Sequence, residues 1–353
     1  MLNTMLEKYD YDLRWKDVVV LRFNITRHWL QVLNQSYLPM CISGRNDYEM
    51  VNKFCSDRVL MLSREHTKEI LTSCGIDDQS AITMCIVSKA LSFRDNYWIC
   101  KSRETRQWKD VNLYKNKFSE SIARVSLTGK YEYINLNDDI FTGELTNKGT
   151  RAKCYVRNNK NLYLYKNENI TEIKSEIISH FVADALGLKS STYFYDKLYD
   201  KDCSVCQILT NELHEMIPCR DIISYYGNNA YNYIMGVDAY NFTLLQLFDY
   251  ITLNIDRNRD NFALLRYNRQ VICLYPAFDH DSCFKGKGVN GLYFVTGRTF
   301  CQTLNLLKEL PVYKTIDTDL IKSNFNSIDF KNKFLSYKSL EEYNDMLKRV
   351  KNL

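Results

Sequence analysis

The sequence predicts an α+β fold of two lobes, in which a strand-rich N-lobe precedes a helix-rich C-lobe, behind an N-terminal accessory region. Strand-like patterns between residues 138 and 166 predict the first lobe, and the buried helical run NFTLLQLFDYITL predicts the second. The length of 353 residues and the 45% hydrophobic content allow two domains or one large two-lobed domain.

The accessory region is predicted over residues 1–122. Apolar and polar residues alternate in DVVVLRFNITRHWLQVL, which predicts a short antiparallel hairpin before the turn LPMCISGRND. Helical spacing follows in DYEMVNKFCSDRVLML, in SREHTKEILTSCGI with Ser63 as its N-cap and Gly75 at its end, and in QSAITMCIVSKAL. Residues 91–122 are aromatic and weakly periodic, so we expect an irregular connector there.

The remaining residues, 123–353, form the main predicted domain, with an N-lobe over about 138–215 and a C-lobe over about 216–353. Residues 153–157 and 162–165 predict a hairpin across NNKN, and strands are expected at 191–198 and 203–210. ITEIKSEIISHFVADALGL predicts a helix with Gly187 at its C-cap. Its apolar stripe comprises Ile170, Ile173, Ile177, Phe181 and Leu186.

The composition gives no support to three classes of protein: nucleic-acid-binding, disulfide-stabilised and membrane-spanning. Lys and Arg exceed Asp and Glu by only 47 to 42 and form no basic arm, so direct nucleic-acid binding gains no support. The twelve cysteines are scattered through apolar segments, which favours reduced core residues over a disulfide scaffold. No signal peptide or run of about 18 apolar residues is present, so we expect a cytoplasmic protein without a membrane partner.

The segment LNIDRNRDNFALL, residues 253–265, carries the strongest chemical signal. Asp256 and Asn261 precede two strand-like runs, FALLRY and VICLY, whose hairpin should bring Asp279 of YPAFDHD back beside them. Magnesium prefers carboxylate and amide oxygens, and a second carboxylate can orient an attacking hydroxyl. This spacing therefore predicts a kinase-like phosphotransferase.

The upstream half supplies two further groups that such an enzyme needs. Lys166 ends the strand NLYLYK, and Glu176 follows ten residues later within the predicted helix. The loop TNKGTRAK precedes that strand, where a loop covering the phosphates is expected. The loop, the lysine, the glutamate, the Asp-Asn pair and the second aspartate follow one another in this order along the chain. This order favours a two-lobed protein-kinase-like fold over an incidental polar loop.

At these residues the chain resembles the HipA-like serine/threonine kinases. The resemblance rests on LTNKGTRAK, LYLYKNENITEIKSEIISHFVADALGL, FDYITLNIDRNRDNFALL and LYPAFDHDSCF, and covers about residues 140–285. SREHTKEILTSCGI and residues 91–122 are more loosely similar to the N-terminal portion of clostridial-type members. The family is bacterial and includes toxin–antitoxin kinases.

The resemblance implies that Asp256 is the catalytic aspartate and that Asn261 and Asp279 bind Mg²⁺. It also implies ATP as the second cofactor, with nucleotide contacts from Lys166 and its partner Glu176, from Gly149 and Lys153 in the phosphate loop, and from the hinge Ile208, Leu209, Thr210 and Asn211. Thr146 stands where these kinases have a loop serine that receives their own phosphate, and Thr150 is the alternative acceptor.

One position departs from the family pattern: Asn258 replaces the histidine usual two residues after the catalytic aspartate. Two alternatives stay open, a phosphatidylinositol-kinase-like lipid kinase and a nucleotide-binding pseudokinase acting as a binding module. The lipid kinase would need a basic membrane-facing loop, for which CFKGKGVNGLYF offers two lysines. A protein substrate and an antitoxin-like partner protein are the partners implied by the resemblance.

A zinc site is the weaker interpretation of Cys203, Cys206, His214 and Cys219, although these are suitable ligand types. CSVCQIL alternates like a strand, which points the first two cysteines to opposite faces. We therefore expect strand cysteines near the hinge.

Overall fold

The computed structural model describes residues 8–45, 47–77, 79–132, 141–286, 288–293 and 295–353. The first seven residues, the start of the predicted N-lobe at 138–140 and, within CFKGKGVNGLYF, Lys287 and Phe294 lie outside the described residues. Among the described helices, none combines the length and apolar character needed to cross a membrane.

The chain divides into two compact units. The first unit comprises Met1–Asn167, Leu198–Lys201 and Ile208–Glu215. The second unit comprises Glu168–Lys197, Asp202–Gln207 and Met216–Leu353. The accessory region and the predicted phosphate loop therefore share one unit.

A four-stranded antiparallel sheet opens the first unit. Its strands are β1 (Asp10–Trp15), β2 (Val18–Asn24), β3 (Trp29–Val32) and β4 (Tyr97–Lys101), in the order β3-β2-β1-β4. The predicted hairpin corresponds to β2 and β3. The prediction of an irregular connector over 91–122 is wrong for β4 and for a short helix at Trp108–Val111. Four of the five β4 residues are buried and leave no alternation to detect.

In the described part of the first unit, five short helices accompany this sheet: α1 (Glu49–Ser56), α2 (Thr67–Ser73), α3 (Ala81–Val87), α4 (Trp108–Val111) and α5 (Glu120–Thr128). Apolar residues of the sheet and of α1 to α3, including Leu13, Phe54, Ile70 and Met84, form one buried core. The Ser63 N-cap is wrong, because α2 begins only after His66, which has a left-handed φ of 63°.

The predicted hairpin across NNKN is present in the first unit. Strands β5 (Lys153–Asn158) and β6 (Asn161–Asn167) pair antiparallel, with Lys153 opposite Lys166. The residues before β5 form a short 3-10 helix at Glu144–Thr146 and then an irregular loop.

The second unit begins with α6 (Ile170–Leu186), as the sequence predicts. Asn169 and Glu172 form a capping box, and Gly187 ends the helix with a left-handed φ of 72°. Ile170, however, is 56% exposed, so it does not belong to the buried stripe.

Five strands of this part of the chain follow: β7 (Tyr193–Leu198), β8 (Lys201–Gln207), β9 (His214–Pro218), β10 (Ala263–Tyr267) and β11 (Gln270–Leu274). The predicted strand at 203–210 therefore ends early, and β9 was not predicted. Strands β10 and β11 form the predicted hairpin, whose turn residues Asn268 and Arg269 both have positive φ. Such φ values suit a tight turn between twisted strands.

Helices make up most of the rest: α7 (Cys219–Tyr226), α8 (Ala230–Thr252), α9 (Phe300–Glu309), α10 (Thr318–Asn326), α11 (Ile328–Leu335) and α12 (Leu340–Lys351). Helix α8 contains the predicted buried run, and it is broken at Asp238. The short strands β12 (Leu292–Tyr293) and β13 (Arg298–Thr299) pair before α9.

Candidate active site

The loop that follows α8 positions the proposed catalytic aspartate. Leu253, with φ of 49°, ends the helix, and the chain then turns sharply. Asn254 accepts a hydrogen bond from the Asp256 amide at 3.1 Å, and Asn258 accepts one from the Asp260 amide at 2.8 Å. Short polar side chains that bind nearby backbone amides hold such turns, which explains why asparagines recur here.

The Asp256 carboxylate is the centre of this loop. Asn258 donates to its Oδ1 at 2.8 Å, and Asn261 donates to its Oδ2 at 3.1 Å. Partial burial raises the pKa of Asp256, and the negative charges of Asp279 and Asp281 raise it further, while the two asparagines act in the opposite direction. The hairpin thus brings Asp279 back to the loop.

The segment carrying Asp279 is anchored by side chains of the same unit. Asp279 has φ of 60°, and its amide donates to the Tyr193 hydroxyl at 3.0 Å. The next amide, of His280, donates to Glu176 Oε2 at 2.8 Å. Glu176 and His280 are fully buried, so the α6 glutamate fixes the backbone beside Asp279.

A buried ion pair that sequence reasoning missed lies beneath the loop. Arg257 donates through Nε and a terminal nitrogen to the Asp249 carboxylate at 3.1 to 3.2 Å. Asn254 and Tyr293 also donate to this carboxylate, at 3.1 and 2.7 Å. The sequence did contain a signal: Asp249 is the one acidic residue in the apolar run NFTLLQLFDYITL, and a buried charge requires a partner.

Arg257 also joins the two segments that carry the proposed metal ligands. Its other terminal nitrogen donates to the carbonyl oxygens of Asn261 at 2.6 Å and Phe278 at 2.7 Å. Burial raises the pKa of Asp249, and the Arg257 guanidinium opposes that effect. One fully buried guanidinium therefore sets the backbone positions on both sides of the site.

Oxygen donors suited to Mg²⁺ are present on both segments beside Asp256. Asn261 uses its amide nitrogen toward Asp256, which directs the amide oxygen to the other side, and the Asp279 carboxylate lies nearby. Carboxylate and amide oxygens are the ligands that this hard cation prefers, so the residues present fit the ion.

The predicted nucleotide contacts divide between the units. Glu176, Asp256, Asn261 and Asp279 belong to the second unit. The first unit contains Gly149, Lys153, Lys166 and residues 208–211. The roles assigned to all of them stay predictions.

In the first unit, the loop and β5 are close together. Gly149 has φ of 104°, and a Cβ at this position would collide with the Lys153 ammonium. Lys153 and Lys166 are both buried. The backbone conformation is therefore the reason for glycine at this position, since the end of the flexible Lys153 side chain could move aside.

The two candidate phosphate acceptors differ in exposure. Thr146 is buried, and its hydroxyl donates to the carbonyl oxygens of Leu91 at 2.5 Å and Gly143 at 3.2 Å. Thr150 is exposed. Only Thr150 is therefore accessible without opening the loop.

The predicted hinge, residues 208–211, is an extended segment ending in a turn. The Ile208 amide donates to the Leu162 carbonyl at 2.8 Å, and the Thr210 hydroxyl donates to the Phe93 carbonyl. Asn211 Oδ1 accepts from the amide of Leu213 at 2.8 Å. Leu209 is 38% exposed, in contrast to the buried Thr210.

The cysteines of the zinc pattern are core residues. Cys203 and Cys206 are buried in β8, and burial raises the pKa of Cys219 to about 12. A thiol with such a pKa is protonated at neutral pH, whereas zinc binds the thiolate.

No protein-family model and no curated protein matches the chain. Among solved structures, HipA of Shewanella oneidensis MR-1, determined with HipB and operator DNA, matches with a TM-score of 0.57 and 13% identity, covering 97% of each chain. The chain has a HipA-like fold.

A second match is the proinflammatory kinase CtkA of Helicobacter pylori, with a TM-score of 0.38 and 15% identity over 57% of this chain and 89% of that chain. The match to HipA extends over the accessory region as well as the two predicted lobes. The HipA-like fold confirms the two-lobed α+β organisation and the resemblance predicted from the sequence.

Proposed function

We propose that this chain is an ATP- and Mg²⁺-dependent serine/threonine protein kinase of the HipA-like type. The observation that carries the proposal is the cluster of Asp256, Asn261 and Asp279, held from below by Arg257 in a HipA-like fold. Such a cluster supplies both a metal site and a group that orients a hydroxyl.

In this proposal the substrate hydroxyl oxygen attacks the γ-phosphorus, and the bond to the β,γ-bridging oxygen breaks to release ADP. Asp256 accepts the hydrogen bond of the hydroxyl and then its proton. Its raised pKa makes it a better proton acceptor than an ordinary aspartate. Asn258 and Asn261 hold the carboxylate at a fixed angle.

Asn261 and Asp279 would hold Mg²⁺, which neutralises charge on the phosphate oxygens when bound. Lys166 and Lys153 would contact the phosphates, and Gly149 would let the loop backbone approach them. Residues 208–211 would lie against the adenine. Glu176 would contribute by holding the backbone beside Asp279, in addition to the lysine contact implied by the family resemblance.

We propose a protein rather than a lipid as the acceptor. Lys285, one of the two lysines of CFKGKGVNGLYF, forms an ion pair with Glu172 at 3.2 Å, which weakens its attraction to an anionic membrane surface.

The pseudokinase alternative is favoured by one contact, since Asn258 already donates a hydrogen bond to an oxygen of Asp256. A cytoplasmic location and an antitoxin-like protein partner complete the proposal; the HipA neighbour was determined with HipB.

The test is transfer of label from γ-labelled ATP, with magnesium or with EDTA, in the presence of a bacterial lysate. We expect label on protein that requires magnesium and falls about 10²–10⁴-fold in Asp256→Asn. Asp260→Asn is the matched control, because Asp260 lies in the same loop but pairs with Arg220 at 2.7 Å. Label on lipid alone would support the lipid kinase, and nucleotide binding without transfer would support the binding module.

A further inference from the structure

The phosphate-loop segment, residues 143–153, is held by a side chain from the accessory region. Arg64 donates to the carbonyl oxygens of Glu144 and Asn147, both at 3.1 Å, and to that of Lys153 at 2.6 Å. The same guanidinium donates to the Ser126 hydroxyl. One arginine, some 80 residues upstream, thus binds both ends of the segment.

The burial of Arg64 makes these contacts selective for one loop conformation. The residue is 3% exposed, and burial lowers the pKa of its guanidinium, which nevertheless stays protonated. Its guanidinium donates to three backbone carbonyls and one hydroxyl, so displacing the loop would leave a buried cation with fewer acceptors. The buried charge of Arg64 therefore strongly favours the loop conformation in which these acceptors are in place.

Residues adjoining Arg64 bind the outer edge of the segment. The Glu65 amide donates to the Thr150 carbonyl at 2.9 Å, and Glu65 Oε2 accepts from the Ala152 amide at 3.3 Å. The Lys148 ammonium donates to the Ser56 carbonyl at 3.1 Å, at the end of α1. Residues 56–65 therefore follow the phosphate-loop segment over most of its length.

We propose that Arg64, Glu65 and the Ser56 carbonyl act as a clamp that fixes the phosphate-loop segment for nucleotide binding. The accessory region is then a working part of the nucleotide site, with Arg64 as its main positioning residue. The inference rests on the proposed kinase function for its consequence, since an ordered loop matters through the phosphates that it covers. The clamp itself is a property of the free protein.

Hydrogen exchange of the full chain without nucleotide, followed by mass spectrometry, tests the clamp directly. In Arg64→Met we expect amides of residues 143–153 to exchange at least about tenfold faster than in the wild type. Arg58→Met is the matched control: Arg58 is equally buried and six residues away, but it binds Asp95 and the carbonyls of Ala90 and Tyr97. It should not increase loop exchange selectively.

Glu65→Ala provides a second variant that should fold, because this side chain is 43% exposed. It should loosen the Ala152 end of the segment selectively and by less than Arg64→Met. Magnesium–ATP affinity, measured by calorimetry, should be lower in Glu65→Ala than in the wild type and lowest in Arg64→Met. Unchanged loop exchange in Arg64→Met or in Glu65→Ala overturns the clamp. Faster loop exchange together with no nucleotide binding by the wild type would instead overturn the proposed kinase function.

Discussion

The buried pair of Arg257 and Asp249 allows a quantitative test of how the site is held. Replacing Asp249 by Asn keeps several hydrogen bonds but leaves a guanidinium that cannot lose its proton. An unpaired buried charge of this kind costs about 3–5 kcal/mol. In a folding unit of this size, each kcal/mol of lost stability lowers the melting temperature by about 2–4 °C. The melting temperature of Asp249→Asn should therefore fall by roughly 6–20 °C.

Replacing Arg257 by Met should behave differently, because Asp249 can take up a proton. Burial already raises the pKa of Asp249, and removing the cation raises it further. A carboxyl group whose pKa is raised in the folded state stabilises the fold at pH values below its unfolded pKa of about 3.9. That stabilisation is lost as the pH rises toward the folded-state pKa. Arg257→Met should therefore lose more stability at pH 8 than at pH 5.

The assay is thermal unfolding of the wild type and both variants at the two pH values, with Lys348→Met as the control. Lys348 pairs with Asp345 at 2.8 Å, and their side chains are 75% and 50% exposed, so water can replace the lost partner and the change should be small. Equal losses in Arg257→Met and Lys348→Met, or a loss in Arg257→Met that does not grow with pH, would refute the reasoning.

Three further predictions concern the proposed site. Lys166→Ala should weaken ATP binding about tenfold or more, and unchanged affinity by calorimetry would remove its assignment. Asp279→Asn should weaken both magnesium-dependent ATP binding and phosphoryl transfer. Asp256→Asn should keep that binding and lose transfer. The reverse pattern in paired binding and transfer assays would mean that the two roles are exchanged. On prolonged incubation with ATP, mass spectrometry should find phosphate on the exposed Thr150 before the buried Thr146. Thr146 modified first would contradict this order.

Features determined by neighbouring residues were predictable from the sequence. The β10–β11 hairpin and the helix α6 with its Asn169 capping box and Gly187 C-cap depend on local periodicity, caps and turn chemistry. Because that hairpin is local, the sequence also predicted that Asp279 returns to Asp256. Where nearly every residue is buried, as in β4, the pattern has no period and the strand was missed.

Only the tertiary structure decided which charged residues are buried and what they bind. Arg257 and Arg64 occur in polar stretches that read as solvated, yet one lies beneath the Asp256 loop and the other between the accessory region and the phosphate-loop segment. Their partners are mostly backbone carbonyls, which carry no residue identity and leave no trace in the sequence. The sequence by itself thus determined the chemistry-bearing residues and their order, whereas long-range packing decided which arginines hold them in place.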